Sequence, residues 1–234
     1  MNRLIKLQFR NLFHSKLFYV CTGLTLLLNV GLSFLSQETS TLKVLPQITD
    51  FLSSELSIIS VIFISLFSCL DFNEGTTKNI IARGYTRTQL LFSKFITILS
   101  GLLIMYLASA LLIFIIYLKN GLGYDSSLPY TLINSIVSII AYTIFYATIS
   151  FILEKNGTSI IACLFVPNII SLVLGLIDSK LKLNISDFWI DNASTKFLQA
   201  KTLPNLTSSL IFYLIYIIII ITIGTQILKK KEIK

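Results

Sequence analysis

Charge is scarce in this chain. Asp, Glu, Lys and Arg make up 13% of the 234 residues, and there is one histidine. That histidine, His14, cannot supply a zinc ligand set, and no second base is available for a Ser/His/Asp triad. No Gly-x-x-x-x-Gly-Lys-[Ser/Thr] run occurs, so the chain has no phosphate-cradling loop of its own. The three cysteines, Cys21, Cys69 and Cys163, lie in or beside apolar runs without metal-ligand spacing and read as small apolar side chains. Enzymatic chemistry is therefore not expected. Between their ends the apolar runs also lack ionisable residues, with Glu55 and Asp71 only at the margins of the second, which counts against an ion-coupled carrier built on buried carboxylates.

What is abundant is apolar surface, at 54% hydrophobic residues. Runs near twenty residues recur, and a helix of about 20 residues crosses the hydrocarbon core. The runs are continuous rather than alternating, which excludes a barrel. The reading is an all-α polytopic membrane protein, one transmembrane domain over 1–234, with six spans near 17–35, 51–70, 95–118, 131–153, 158–177 and 208–228. No small-x-small cleavage site follows the first run, so a signal peptide is not expected.

The net charge of +8 could suggest nucleic acid, but its placement follows the positive-inside rule instead. With both termini inside, the inner segments hold 13 of the 19 Lys and Arg and 4 of the 11 acids. The inner side then nets +9 and the outer side −1. Residues 1–16 form an amphipathic stretch with Arg3, Lys6, Arg10 and His14 on one face and Ile5, Phe9 and Leu12 opposite. This suits an interfacial helix, or a purely topogenic basic signal. The outer loop 178–207 carries Phe188-Trp189-Ile190 and Phe197-Leu198, which read as interfacial anchors, a gate, or short re-entrant helices.

Hydroxyls and amides cluster in the fourth and fifth spans, with Asn134, Ser138, Tyr142 and Tyr146 in one and Pro167 and Asn168 in the other. They can glue helices together or line a polar pathway, and Pro167 should loosen its helix.

The longest patterned inner stretch is 71–94. Thr76 and Thr77 are suitable caps for a short helix ending near Arg83, and Gly84 is a left-handed stop. Thr86-Arg87-Thr88-Gln89 fits a capping box for the next helix. A plain connection would need only a few residues.

These residues resemble the type-2 permeases of ABC transporters. The shared features are Glu74-Gly75-Thr76, Asn79, Gly84-x-x-Arg87, Lys94 and the basic end Lys229-Lys230-Lys231-Glu232-Ile233-Lys234. The chain looks like the compact kind that serves bacterial export of, or immunity to, amphipathic peptides and lantibiotics. The resemblance implies a cytoplasmic coupling helix that docks a separate ATPase, present in two copies and carrying ATP and Mg. It also implies a second permease chain, identical or sister, in a bacterial cytoplasmic membrane. On this resemblance Glu74 and Arg87 contact the ATPase or brace the segment, Gly75 and Gly84 set its turns, Thr76 and Asn79 belong to the motif, and Lys94 anchors the third span at the headgroups. Other expectations are a secondary carrier or channel, or a membrane immunity protein that sequesters a peptide.

Overall fold

The computed structural model describes residues 2–36, 44–119, 128–181, 184–190, 192–193 and 203–230. All of its regular elements are helical. They are α1 (Asn2–His14), α2 (Lys16–Ser36), α3 (Val44–Asn73), α4 (Thr76–Ala82), α5 (Arg87–Lys119), α6 (Leu128–Leu153), α7 (Asn156–Leu181) and α8 (Leu203–Lys230), with a 3-10 turn at Ser186–Phe188. The expected features at Glu38, Lys43, 120–127, Phe197-Leu198 and 231–234 lie outside the described residues.

Four stretches are long and apolar enough to cross a membrane: Thr88–Leu112, Leu132–Leu153, Asn156–Lys180 and Thr207–Ile227. The pair Ile58–Asn73 and Thr76–Ala82, bent by 64°, makes a fifth if counted as one span. Among the described residues Lys16–Leu28 is a shorter apolar stretch. Apolar faces point outward along α7 (Phe165, Ile169, Leu172) and α8 (Ile211, Leu214, Ile218), all at least 57% exposed. Such faces would drive association in water, whereas lipid solvates them.

The core forms where α1, α2, α3, α5, α6 and α7 meet. Leu12, Phe63, Phe67, Leu91, Ile98 and Ala147 are all fully enclosed there. Phe63 and Phe67 stack with ring centroids 5.7 Å apart. α6 forms its largest contact with α8, α3 packs on α6 and α7, and α1 and α2 both lie on α5.

Buried hydroxyls and thiols join helices where no charge is present. Cys69 of α3 meets Ser159 of α7 at 3.2 Å, and Ser209 of α8 donates to Asn134 of α6 at 2.6 Å. In lipid such contacts are worth about 1 kcal/mol each.

Three features meet at one end of the bundle. Gln8 of α1 donates to Asp71 near the end of α3, and Asn73 donates to Asn156, the first residue of α7, at 2.6 Å. The turn between α6 and α7 contains only Glu154 and Lys155, with Glu154 at φ 61°, so it is two residues shorter than the gap between the spans expected at 131–153 and 158–177. Pro167 does not divide α7, which runs unbroken through it.

The segment after α7 returns to the bundle. Asp178 accepts backbone N–H groups from Ile185 and Ser186, each at 2.8 Å, which fixes the start of the 3-10 turn. Trp189 then packs edge-on to Phe145 at 5.9 Å and Tyr216 at 6.4 Å, and Ile190 is buried beside Ala141 and Tyr213. Those partners lie near the middle of α6 and α8, so Trp189 and Ile190 reach into the bundle while Phe188 stays exposed.

Candidate functional site: the α4 elbow and its buried carboxylate

α3 stops because its chain reverses hand at Gly75. The Gly75 backbone has φ 68° and ψ 7°, a left-handed conformation that costs a residue with Cβ roughly 1–2 kcal/mol. α4 then starts at an angle to α3 and ends at Gly84, with φ 85°. Gly84 N–H donates to Ile81 O at 2.9 Å and Arg83 N–H to Asn79 O at 3.3 Å, closing the last turn. The left-handed stop expected at Gly84 is present.

The expected threonine caps are not. Gly75 occupies the cap position, and no side chain caps α4. Thr76 Oγ1 instead points back at Asp71, 3.2 Å from both its carbonyl oxygen and its Oδ1. Thr77 is buried, and its hydroxyl has no partner among the described residues. The left-handed glycine moves both threonines into the helix, so their hydroxyls lie on its sides. The capping box at α5 is formed as expected: Thr86 N–H donates to Gln89 Oε1 at 3.0 Å, and Gln89 N–H to Thr86 Oγ1 at 3.3 Å.

Thr77 and Ile80 face the bundle, and Tyr85 packs on the core after the helix. Glu74, Lys78, Asn79, Ala82, Arg83 and Gly84 face outward. Arg87 is the first residue of α5, and its side chain lies outside the described set. Of the motif residues, Glu74, Gly75, Asn79 and Gly84 therefore share one exposed elbow, and Thr76 joins it to α3.

Lys94 corrects its expected role. It does not reach the headgroups: it is fully buried, with Nζ 3.1 Å from Asp71 Oδ2, itself in a side chain 3% exposed. Nζ also donates to Phe67 O at 3.0 Å and lies 4.3 Å from the Phe67 ring centroid. Asp71 Oδ2 accepts a second bond, from Gln8 Nε2, at 2.7 Å. One carboxylate thus ties α1, α3, α5 and the first residue of α4. The physical reason is depth. Lys94 lies seven residues into α5, roughly 10 Å at 1.5 Å per residue, on the face covered by α3. From there it meets a carboxylate sooner than water.

Neither Asp71 as a hub nor Gln8 was anticipated. Gln8 had a signal, since it lies between Leu4 and Leu12 at helical spacing and all three are buried. A polar residue inside an apolar stripe needs a partner.

The polar residues of α6 and α7 do not form one wall. Asn134 and Ser138 are buried, Asn134 against Ser209 of α8. Tyr142 and Tyr146 stack at 5.8 Å, and the Tyr146 carbonyl accepts from Cys163 at 3.6 Å. Pro167 is buried, whereas Asn168 is exposed and donates to Leu164 O of its own helix at 2.7 Å. Asn168 therefore does not join the others.

Fold and site together define an all-helical, multi-pass membrane protein with a short elbow helix pinned at one end of its bundle. A family model described as a protein of unknown function, DUF2705, matches residues 17–234, and the chain belongs to that family. No curated protein matches it.

Proposed function

We propose that this chain is the transmembrane subunit of an ATP-driven exporter of amphipathic peptides or other amphiphiles. In this reading α2 and α3 join the four longer stretches as six spans. The α4 end and both termini face the bacterial cytoplasm, as the Lys and Arg distribution favours. α4 is the coupling helix. One of two ATPase subunits, binding ATP and Mg, docks on the exposed row of Glu74, Lys78, Asn79 and Arg83, and a second permease chain, docking the other, completes the pathway.

The observation that carries the reading is the Asp71 junction. A surface helix moved by a partner transmits force only if it is held to the spans behind it. Asp71 holds α4 through Thr76, α5 through Lys94 and α1 through Gln8. The chain has no phosphate-binding loop, so the nucleotide site falls to the partner.

The buried pair also supports a second reading. Ionisable residues enclosed among spans can mark an ion path, so Asp71–Lys94 restores an ion-coupled carrier as the alternative. One experiment separates the two. The full chain is purified in mild detergent from its native membranes, and vanadate-sensitive ATP hydrolysis is measured with Glu74→Arg and Asn79→Ala variants alongside. The exporter reading expects a copurifying ATPase whose activity falls several-fold on either substitution while the permease stays folded. Absence of a copurifying ATPase, together with cargo flux abolished by a protonophore, overturns it in favour of the carrier.

A further inference from the structure

The surface of α1 divides into three sectors, not the two that an amphipathic helix at a simple interface would need. At about 100° per residue, Leu4, Gln8 and Leu12 fall on one line, and all are buried against the bundle. Ile5, Phe9 and Phe13 fall on the next line. Phe13 is 45% exposed and stacks on Phe9 at 6.5 Å. Arg3, Lys6, Arg10 and His14 form the third, directly opposite the buried line, and all four are exposed. No acid occurs anywhere in α1. Three sectors suit a helix that meets three media at once: protein on one side, hydrocarbon on the second, and the polar headgroup layer on the third.

Neighbouring residues set the depth. Tyr19, at the start of α2, is 59% exposed and donates its hydroxyl to Phe13 O at 2.9 Å. A tyrosine with an exposed ring and a tethered hydroxyl is suited to the boundary between hydrocarbon and headgroups. It places the end of α1 at that boundary, with the cation row facing the lipid phosphates. Lys16 is exposed immediately beyond.

We propose that the cationic sector of α1 is a docking surface for anionic phospholipid headgroups, with Arg3, Lys6 and Arg10 each binding lipid phosphate. The proposal rests on the reading that the chain spans a membrane with the α1 end at its surface. It adds a preference for the lipid's charge, which an apolar anchor alone would not give. The occupant is a phospholipid because the cation row borders the apolar Ile5, Phe9 and Phe13 sector, so one ligand must offer phosphate beside acyl chains. Arginine favours phosphate through its planar fork of donors.

The test uses the full chain with Asn2→Cys, labelled with a bimane fluorophore. The native Cys21, Cys69 and Cys163 are buried and free, and so are shielded from the reagent. The protein is reconstituted into phosphatidylcholine vesicles holding a small fixed fraction of spin-labelled phosphatidylglycerol or, separately, of spin-labelled phosphatidylcholine. Each cation near an anionic surface strengthens its hold by about fivefold, so the glycerol lipid is expected to quench several-fold more than the choline lipid. Parity is expected in the R3Q/K6Q/R10Q variant, and with the unsubstituted residues in about 1 M salt, where the screening length is about 3 Å. Equal quenching by both lipids at low salt overturns the proposal while leaving the membrane reading intact. No quenching by either lipid overturns both.

Discussion

Removing one member of the Asp71–Lys94 pair should cost far more than removing both. At 3.1 Å the attraction is about 5 kcal/mol for an effective dielectric of about 20. Much of this offsets the desolvation of two buried ions, so the pair as a whole adds little net stability. A single loss is different, because it leaves a buried charge without its counter-charge, at about 3–5 kcal/mol. Lys94→Met strands the carboxylate, although Gln8 and Thr76 still donate to it. Asp71→Asn strands the ammonium but keeps an acceptor for Gln8. Asp71→Ala removes that acceptor as well, adding about 1 kcal/mol for the unmet amide. Thr76 loses less, since its hydroxyl can turn fully to the Asp71 carbonyl. The expected order of damage is therefore Asp71→Ala, then Asp71→Asn, with the double variant Asp71→Leu/Lys94→Met within about 1–2 kcal/mol of the parent. Reversible unfolding in mixed micelles can measure it. The chain's one tryptophan, Trp189, packs on Phe145 and Tyr216 and so reports loss of bundle packing. Single substitutions that each cost under about 1 kcal/mol and simply add in the double variant would refute the buried pair.

Two further outcomes follow from local geometry. Gly84→Ala adds a Cβ with open space around it, so its cost is the left-handed backbone alone, roughly 1–2 kcal/mol, and Gly84→Asn should cost less; limited proteolysis between α4 and α5 checks the order. Gly224→Ala places a Cβ 2.6 Å from Thr148 Cγ2, which should cost about 1–3 kcal/mol by overpacking α8 on α6, and adding Thr148→Ser, which deletes that methyl, should recover most of it in the same unfolding assay.

Local chemistry in this chain could be read before any fold was known. The Thr86 and Gln89 capping box depends only on residues three apart, and the Gly84 stop on one glycine after a short helical run. The α4 threonines illustrate the limit. Their capping role depended on where the helix began, and the left-handed Gly75 moved that point by one residue. Lys94 was misplaced for a longer-range reason. It lies near the end of an apolar run, as a headgroup anchor would, and only tertiary packing brings it to Asp71, 23 residues earlier. α1 shows a third case. Its cation row was plain on a helical wheel, but a wheel separates only polar from apolar. It could not tell that Leu12 faces protein whereas Ile5 and Phe9 flank it on a separate sector.

The buried pair also bears on how the chain enters a membrane. An Asp or Lys within a lone helix opposes insertion, by about 3 kcal/mol at the bilayer centre. Asp71 lies in the last turn of α3 and Lys94 two turns into α5, with the elbow between the two helices. In the folded bundle each is the other's ion-pair partner. The hairpin from α3 to α5 is then the smallest piece in which both charges are paired, and insertion of α3 is expected to be helped by the arrival of α5. Gln8, which precedes both in the chain, is the partner that Asp71 can meet before Lys94 has been made.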